Sequence, residues 1–223
     1  MSTRDFLVEI GTEELPPLSL PELSSAFTEG VVAGLAAQGI PHGTLHSYAT
    51  PRRLAMLIHA VPERQADQTV QRKGPPVSAA YDKEGKPTRA AQAFADSTGT
   101  PVAELQRVQE AKGEFLFWSG VKPGAVVAEL LPGLVQASLD KLPIAKRMRW
   151  GAGEATFVRP VHWVVLLFGN EVLPAKLFEL AAGRETRGHR FHAPEALAIA
   201  APADYAQLLL EQGHVVADFG DRR

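Results

Sequence analysis

The chain contains no cysteine. That excludes disulfides, thiolate-bound zinc and a cysteine nucleophile, and it agrees with a reducing compartment. Long apolar runs are missing too. The longest, VHWVVLLFG, is far short of the roughly 20 residues that span a bilayer. The N-terminus, MSTRDFLVEI, has no basic stretch followed by an apolar one, so no signal peptide is expected. The protein is expected to be soluble and cytoplasmic, without membrane contact. Absent as well are G-x-G-x-x-G after a strand, G-x-x-x-x-G-K-[ST], H-E-x-x-H and G-x-S-x-G. No catalytic residue is assigned, and an autonomous enzyme has no motif to support it.

What remains is ordinary globular material: 223 residues, 45% hydrophobic and 22% charged, enough for one or two cores. The net charge of −2 hides a pattern. Residues 140–192 hold nine Lys and Arg against five Asp and Glu, whereas the flanking segments are each net negative. Such a block suits a surface that meets phosphates, and a mixed solvated face is the competing reading.

DFLVEI alternates as a buried strand. Next, Ser19 and Glu22 have capping-box spacing, Pro21 sits in the first turn, and Leu20, Leu23, Phe27, Val31 and Gly34 share one helical face ending near Gly39. Pro51 opens a strand with Leu54, Met56 and Ile58 on one face. Residues 62–90 read as an exposed loop or insertion around a short strand, and near its end Thr88 is placed to cap a helix over Arg89–Ser97. ELQRVQ and EFLFWSGV form a hairpin turning at Lys112–Gly113. Pro132–Gly133 should kink or split the helix that follows. VHWVVLLFG, apolar on both faces, pairs with EVLPAKLFEL through a turn at Gly169–Asn170. A short helix, ADYAQLLLEQG, precedes a strand at HVVAD, and stopping there suggests a fragment of something longer. TPRRLAMLI and RPVHWVVLL echo each other weakly.

The expected fold class is α+β: mainly antiparallel sheets with packed helices, two sub-modules being an open alternative. The expected divisions are a strand–helix–strand unit over 1–61 and an insertion-like loop, hairpin and helix over 62–140. A second α+β unit over 141–223 carries the basic block and is truncated at its C-terminus.

VEIGTEELPP gathers Glu9, Glu13 and Glu14, either as a Mg²⁺-binding or acid–base cluster or as a turn neutralised by arginines. Arg52 and Arg53 are consecutive, so on a strand they face opposite ways. One is expected to brace an internal carboxylate, Glu9 or Glu13, and a ligand contact is the alternative. Lys146, Arg147, Arg149 and Arg159, with Trp150 and Trp163 nearby, suit phosphates and stacked bases. TRGHRFHAP offers Arg187, His189, Arg190 and His192. It has no third ligand for a metal, so none is assigned; His189 is expected as a brace, with Arg187 and Arg190 as RNA contacts.

In order, LVEIGTEELPP, TPRRLA, KGPP, KRMRWG, RPVHWVVLLFG and TRGHRFHAP resemble the beginning of the β subunit of the bacterial heterotetrameric (α2β2) glycyl-tRNA synthetases, from Met1 to the end of the chain. The resemblance implies a glycine-tRNA ligase whose aminoacylation core, with ATP and Mg, lies on a separate α subunit. This fragment would bind no cofactor. Its implied partners are tRNA-Gly, the α subunit and the remainder of β, where an HD-type and an anticodon-binding domain would follow. RNA contact is expected at Lys146, Arg147, Arg149, Arg159, Arg187 and Arg190. The alternatives are a pure assembly domain and, last, an editing hydrolase using Glu13 or His189 as base.

Overall fold

The computed structural model describes residues 2–111 and 113–222. It has two compact units, one built from the chain up to Gln65 together with Ala125 onward, the other from Ala66–Gly124.

In the first unit, strand β1 (Thr3–Thr12) is apolar on both sides because both sides are covered. Phe6, Val8 and Ile10 enter one core and Leu7 the other. Helix α1 (Leu20–Ala37) lays Leu20, Leu23, Phe27, Val31 and Leu35 on the first core. Ser19 precedes it but makes no side-chain cap bond: its backbone is already helical (φ −91°, ψ −10°), not extended as a capping residue requires. Gly39, at φ 64°, turns the chain out of the helix. Strand β2 (Leu45–Thr50), not anticipated, pairs antiparallel with β3 (Arg53–Pro62). Leu54, Met56 and Ile58 face the first core, Ala55 and Leu57 the second. Arg52 lies in the Pro51–Arg52 turn, not on the strand.

The second unit takes up most of what read as loop. Strand β4 (Gln68–Pro76) is nine residues long and runs into a single helical turn, α2 (Val77–Ala80). Helix α3 (Arg89–Thr98) starts after Thr88, whose hydroxyl donates to the Ala79 carbonyl at 2.7 Å instead of capping. Strands β5 (Gln106–Glu110) and β6 (Gly113–Lys122) form the expected hairpin, in the order β4-β6-β5. Lys112 of its turn lies outside the described residues, and Gly113 has φ 123°. Ala80, Ala91, Ala95, Leu105 and Leu116 make this unit's own core.

Back in the first unit, α4 (Val127–Asp140) runs through Pro132 as one helix, against the expected split. Leu131, Val135 and Leu139 bury against the first core, and Ser138 Oγ donates to the Phe27 carbonyl of α1 at 2.8 Å. Packing on both sides of the proline outweighs one lost backbone bond. Two-residue strands β7 (Met148–Arg149) and β8 (Thr156–Phe157) pair with each other. Strand β9 (Val161–Phe168) joins β10 (Glu171–Val172) across Gly169–Asn170, with Gly169 at φ 57°. Short pairs β11 (Lys176–Leu177) with β12 (Leu180–Ala181), and β13 (Glu185–Arg187) with β14 (Ala196–Ala198), lead to α5 (Tyr205–Glu211). The segment 214–218 is not a strand; it meets the sheet by an isolated bridge between Asp218 and Tyr48, and Ala217 is buried in the second core.

The main sheet runs β10-β9-β1-β3-β2, each neighbouring pair antiparallel. Divisions at 61/62 and 140/141 therefore do not follow the units: β9, whose Trp163 is 154 residues beyond Glu9, pairs directly with β1. The two echoing segments are β3 and β9, which flank β1 on either side. The architecture is α+β with antiparallel sheets and packed helices.

Candidate functional site

β1 carries a glutamate where its neighbours are apolar. Glu9 stands in register with Ala55 on one side and Val165 on the other, and is wholly buried. A buried carboxylate must be paired and bonded. Arg53 Nη1 lies 3.5 Å from Glu9 Oε1. Trp163 Nε1 donates to the same oxygen at 2.8 Å, and the Thr186 hydroxyl, 2.8 Å from both oxygens, donates to the carboxylate. Arg53 also donates to Thr186 Oγ1 at 3.4 Å and to the Arg187 carbonyl. Burial, the largest influence, works to lower the pKa of Arg53, but Glu9's charge together with the Tyr205 hydroxyl outweighs it and the guanidinium is held above its ordinary value. Gly11 stands opposite both Arg53 and Trp163; a Cβ there would lie 1.9 Å from the indole. The network thus ties β13, 177 residues away, to the centre of β1. Of the expected braces, Glu9 and Arg53 meet here.

Tyr205 closes the network from α5. Its hydroxyl is buried with no hydrogen-bond partner. Burial first, then Glu9's negative charge, pushes its pKa well above the ordinary phenol value, with Arg53 opposing.

Beyond Gly11, Glu13 gathers two arginines and a histidine: Arg52 at 3.8 Å, His162 Nε2 at 3.0 Å and Arg190 at 3.4 Å. This is the arginine-neutralised turn of the two readings of VEIGTEELPP. Glu14 is exposed, and its carbonyl accepts from Arg159 Nε at 3.1 Å; Arg159 also donates to the Val158 carbonyl.

The TRGHRFHAP loop is organised by its own histidine. His189 Nδ1 accepts from the amides of Phe191 and His192, both at 3.3 Å, which places any proton of the neutral ring on Nε2. The His189 amide donates to the Gly213 carbonyl at 2.7 Å. Gly188 is buried so close to that carbonyl that an added Cβ would sit 2.7 Å from it. The rings of His189 and His192 are 4.5 Å apart. Among the described residues, no three His, Asp or Glu side chains gather where a metal could bind.

Two hollows of about 360 Å³ each open here. Arg52, Gly188 and Arg190 line both. The first adds Arg53, Phe191, His214 and Arg222; the second adds His162, Trp163 and Arg187. Four of the six motifs quoted above therefore converge at one end of the sheet: LVEIGTEELPP, TPRRLA, RPVHWVVLLFG and TRGHRFHAP.

The basic block is not one patch of unengaged cations. Arg187 and Arg190 are exposed at the hollows, and Arg159 is half-buried nearby on Glu14. Arg147 donates to the carbonyls of Leu139 and Asp140 at the end of α4, at 3.3 and 3.0 Å. Arg149 pairs with Glu154 at 3.1 Å, and Lys146 is exposed in a bend. Sequence reasoning missed Thr186, His162, Tyr205, Phe191 and Arg222 as parts of the site. The first, second and fourth lie inside quoted motifs; nothing local marks Tyr205 or Arg222.

Among the described residues, no helix is long and apolar enough to cross a membrane. Residues 6–223 match the family described as glycyl-tRNA synthetase beta subunit. Curated relatives named glycine–tRNA ligase beta subunit align over the whole chain, at 50% identity in Marinobacter nauticus, 48% in Azotobacter vinelandii and 44% in Coxiella burnetii. The chain spans 32% of the length of each. With four of the six motifs converging at one end of the sheet and a family match over nearly its whole length, the chain belongs to the glycyl-tRNA synthetase beta subunit family.

Proposed function

We propose that this chain is the tRNA-recognition and assembly part of a cytoplasmic, heterotetrameric glycine-tRNA ligase, which joins glycine to tRNA-Gly with ATP. Glycine activation and transfer, with ATP and Mg²⁺, belong to the separate α subunit. This region supplies RNA affinity and orientation, and positioning of that kind lowers the barrier without any group here touching the reacting atoms. The RNA-contacting set is Lys146, Arg147, Arg149, Arg159, Arg187 and Arg190.

The observation that carries the reading is the loop at 187–190. Its two exposed arginines are presented by a backbone clamped to the buried Glu9–Arg53–Thr186 network, so they meet phosphate already oriented. Reversing Arg187 and Arg190 to Glu in the assembled enzyme should raise KM for tRNA-Gly with kcat little changed. The salt slope of binding should flatten by about one for each phosphate that is no longer neutralised. The same measurement on Arg147→Glu with Arg149→Glu sorts the rest of the set. Unchanged tRNA kinetics in both double variants, with folding intact, would end the RNA reading.

A second reading, assembly with the α subunit or the rest of β and no RNA contact, is favoured by exposed apolar side chains, notably Leu18 and Phe191, 97% and 78% exposed. It requires that Leu18→Ser and Phe191→Ser weaken subunit association and leave tRNA affinity intact.

A further inference from the structure

We infer that the hollow lined by Arg52, Arg53, Arg190, Phe191 and His214 is a pocket for one unpaired nucleotide of an RNA strand, its base on Phe191 and its phosphate at Arg52 and Arg190. The inference rests on the RNA reading above and makes it specific to one pocket.

The hollow has the form of a ligand site. Its volume of about 360 Å³ falls within the roughly 300–1,000 Å³ usual for small-ligand pockets, which leaves room for one nucleotide and too little for a duplex. Pro51, Val215 and Val216 supply apolar wall, and the lining includes four arginines and one carboxylate residue, Glu14. Phe191 at the rim is 78% exposed, a poor place for a phenylalanine with nothing to cover. Its amide donates to His189 Nδ1, and the Arg190 guanidinium lies 6.0 Å from its ring centroid. An aromatic face beside a guanidinium is what an unstacked base and its phosphate require.

The polar groups are also available. The contacts of Arg52 and Arg190 with Glu13 are long, 3.8 and 3.4 Å, and Arg52 Nε is buried with no hydrogen-bond partner. At the floor, Arg53 is 2% exposed and its Nε likewise has no partner, although the rest of its guanidinium is committed to Glu9 and β13. His214 lines the wall at φ 52°, a left-handed conformation uncommon for a residue with a side chain and frequent at functional sites.

The test is a calorimetric titration of the full-length protein with AMP, CMP, GMP and UMP, with inorganic phosphate, and with a tRNA-Gly transcript. Nucleoside monophosphates should bind, compete with the transcript, and bind more tightly than phosphate. Phe191→Ala should weaken nucleotide binding about tenfold, Phe191→Tyr should restore it, and Arg190→Gln should weaken it, all at unchanged thermal midpoint. The inference is overturned if Phe191→Ala binds nucleotides as well as the parent, or if phosphate binds as tightly as they do. A transcript that binds without competition from any nucleotide removes this pocket and leaves the RNA reading standing. Nucleotide binding without transcript binding, or no binding of either, removes the RNA reading and this pocket's strand ligand with it.

Discussion

Glu9 and Arg53 meet inside the main sheet at 3.5 Å, with side chains 0% and 2% exposed. They are not cross-strand neighbours: Glu9 pairs with Ala55, and Arg53 with Gly11. The small residues leave the volume in which the two long side chains reach each other. Because the same arginine holds the Arg187 carbonyl and the same carboxylate holds Thr186, the pair fixes where the exposed loop leaves the fold.

Glu9→Gln keeps the shape and removes the charge, leaving Arg53 buried without a counter-ion. Breaking one side of a buried pair costs about 3–5 kcal/mol, and a urea unfolding curve should show a loss of that order. The double variant Glu9→Gln, Arg53→Met should recover part of it. A single variant as stable as the parent would show that the pair does not carry the stability assigned to it.

Tyr205 makes the network sensitive to alkali. Below the ordinary phenol pKa of 10.0 the hydroxyl is neutral in both folded and unfolded chains and contributes no pH dependence. Above it the unfolded chain ionises first, because the folded pKa is raised, so stability falls as pH rises. Tyr205→Phe removes an unpartnered buried hydroxyl. It should leave stability at pH 7 within about 1 kcal/mol of the parent and flatten the alkaline loss. Parallel alkaline curves for the two proteins would refute this.

The strands were legible wherever burial wrote a period into the sequence: Leu54, Met56 and Ile58 on one face, and VHWVVLLFG apolar on both because β9 is interior. Arg53 against Glu9 was one of the options the alternation allowed. Strand order was not legible, since nothing local says that β9 completes a sheet begun at Thr3. Charge patterning located the basic block but not its partners; two backbone carbonyls at the end of α4 engage Arg147, and no charge count contains them. Thr186 was invisible for a similar reason, its importance residing in one hydroxyl.

Gly11 is a glycine for lack of space, not for backbone freedom. Substituting alanine puts a Cβ 1.9–2.4 Å from three atoms of the Trp163 ring, so the indole must move and surrender its bond to Glu9. Overpacking of this kind costs about 1–3 kcal/mol, and losing the bond adds to it. Gly11→Ala should lower the thermal midpoint and shift the tryptophan emission. Trp163→Phe in the same background should relieve part of the loss, since the phenyl ring is smaller and carries no N–H.

His189 should govern the order of its loop more than the stability of the fold. Its Nδ1 is the shared acceptor for the amides of Phe191 and His192, both in exposed residues, so deleting it frees two donors that water can satisfy. Each such bond contributes about 1 kcal/mol. His189→Ala should therefore speed hydrogen exchange at those two amides about tenfold while the β1 amides stay protected. Asparagine can offer an oxygen to the same amides, so His189→Asn should restore much of the protection. If exchange at Phe191 and His192 is unchanged in the alanine variant, the loop is held by the Gly188–Gly213 contact and the β13 clamp alone, and His189 is no brace.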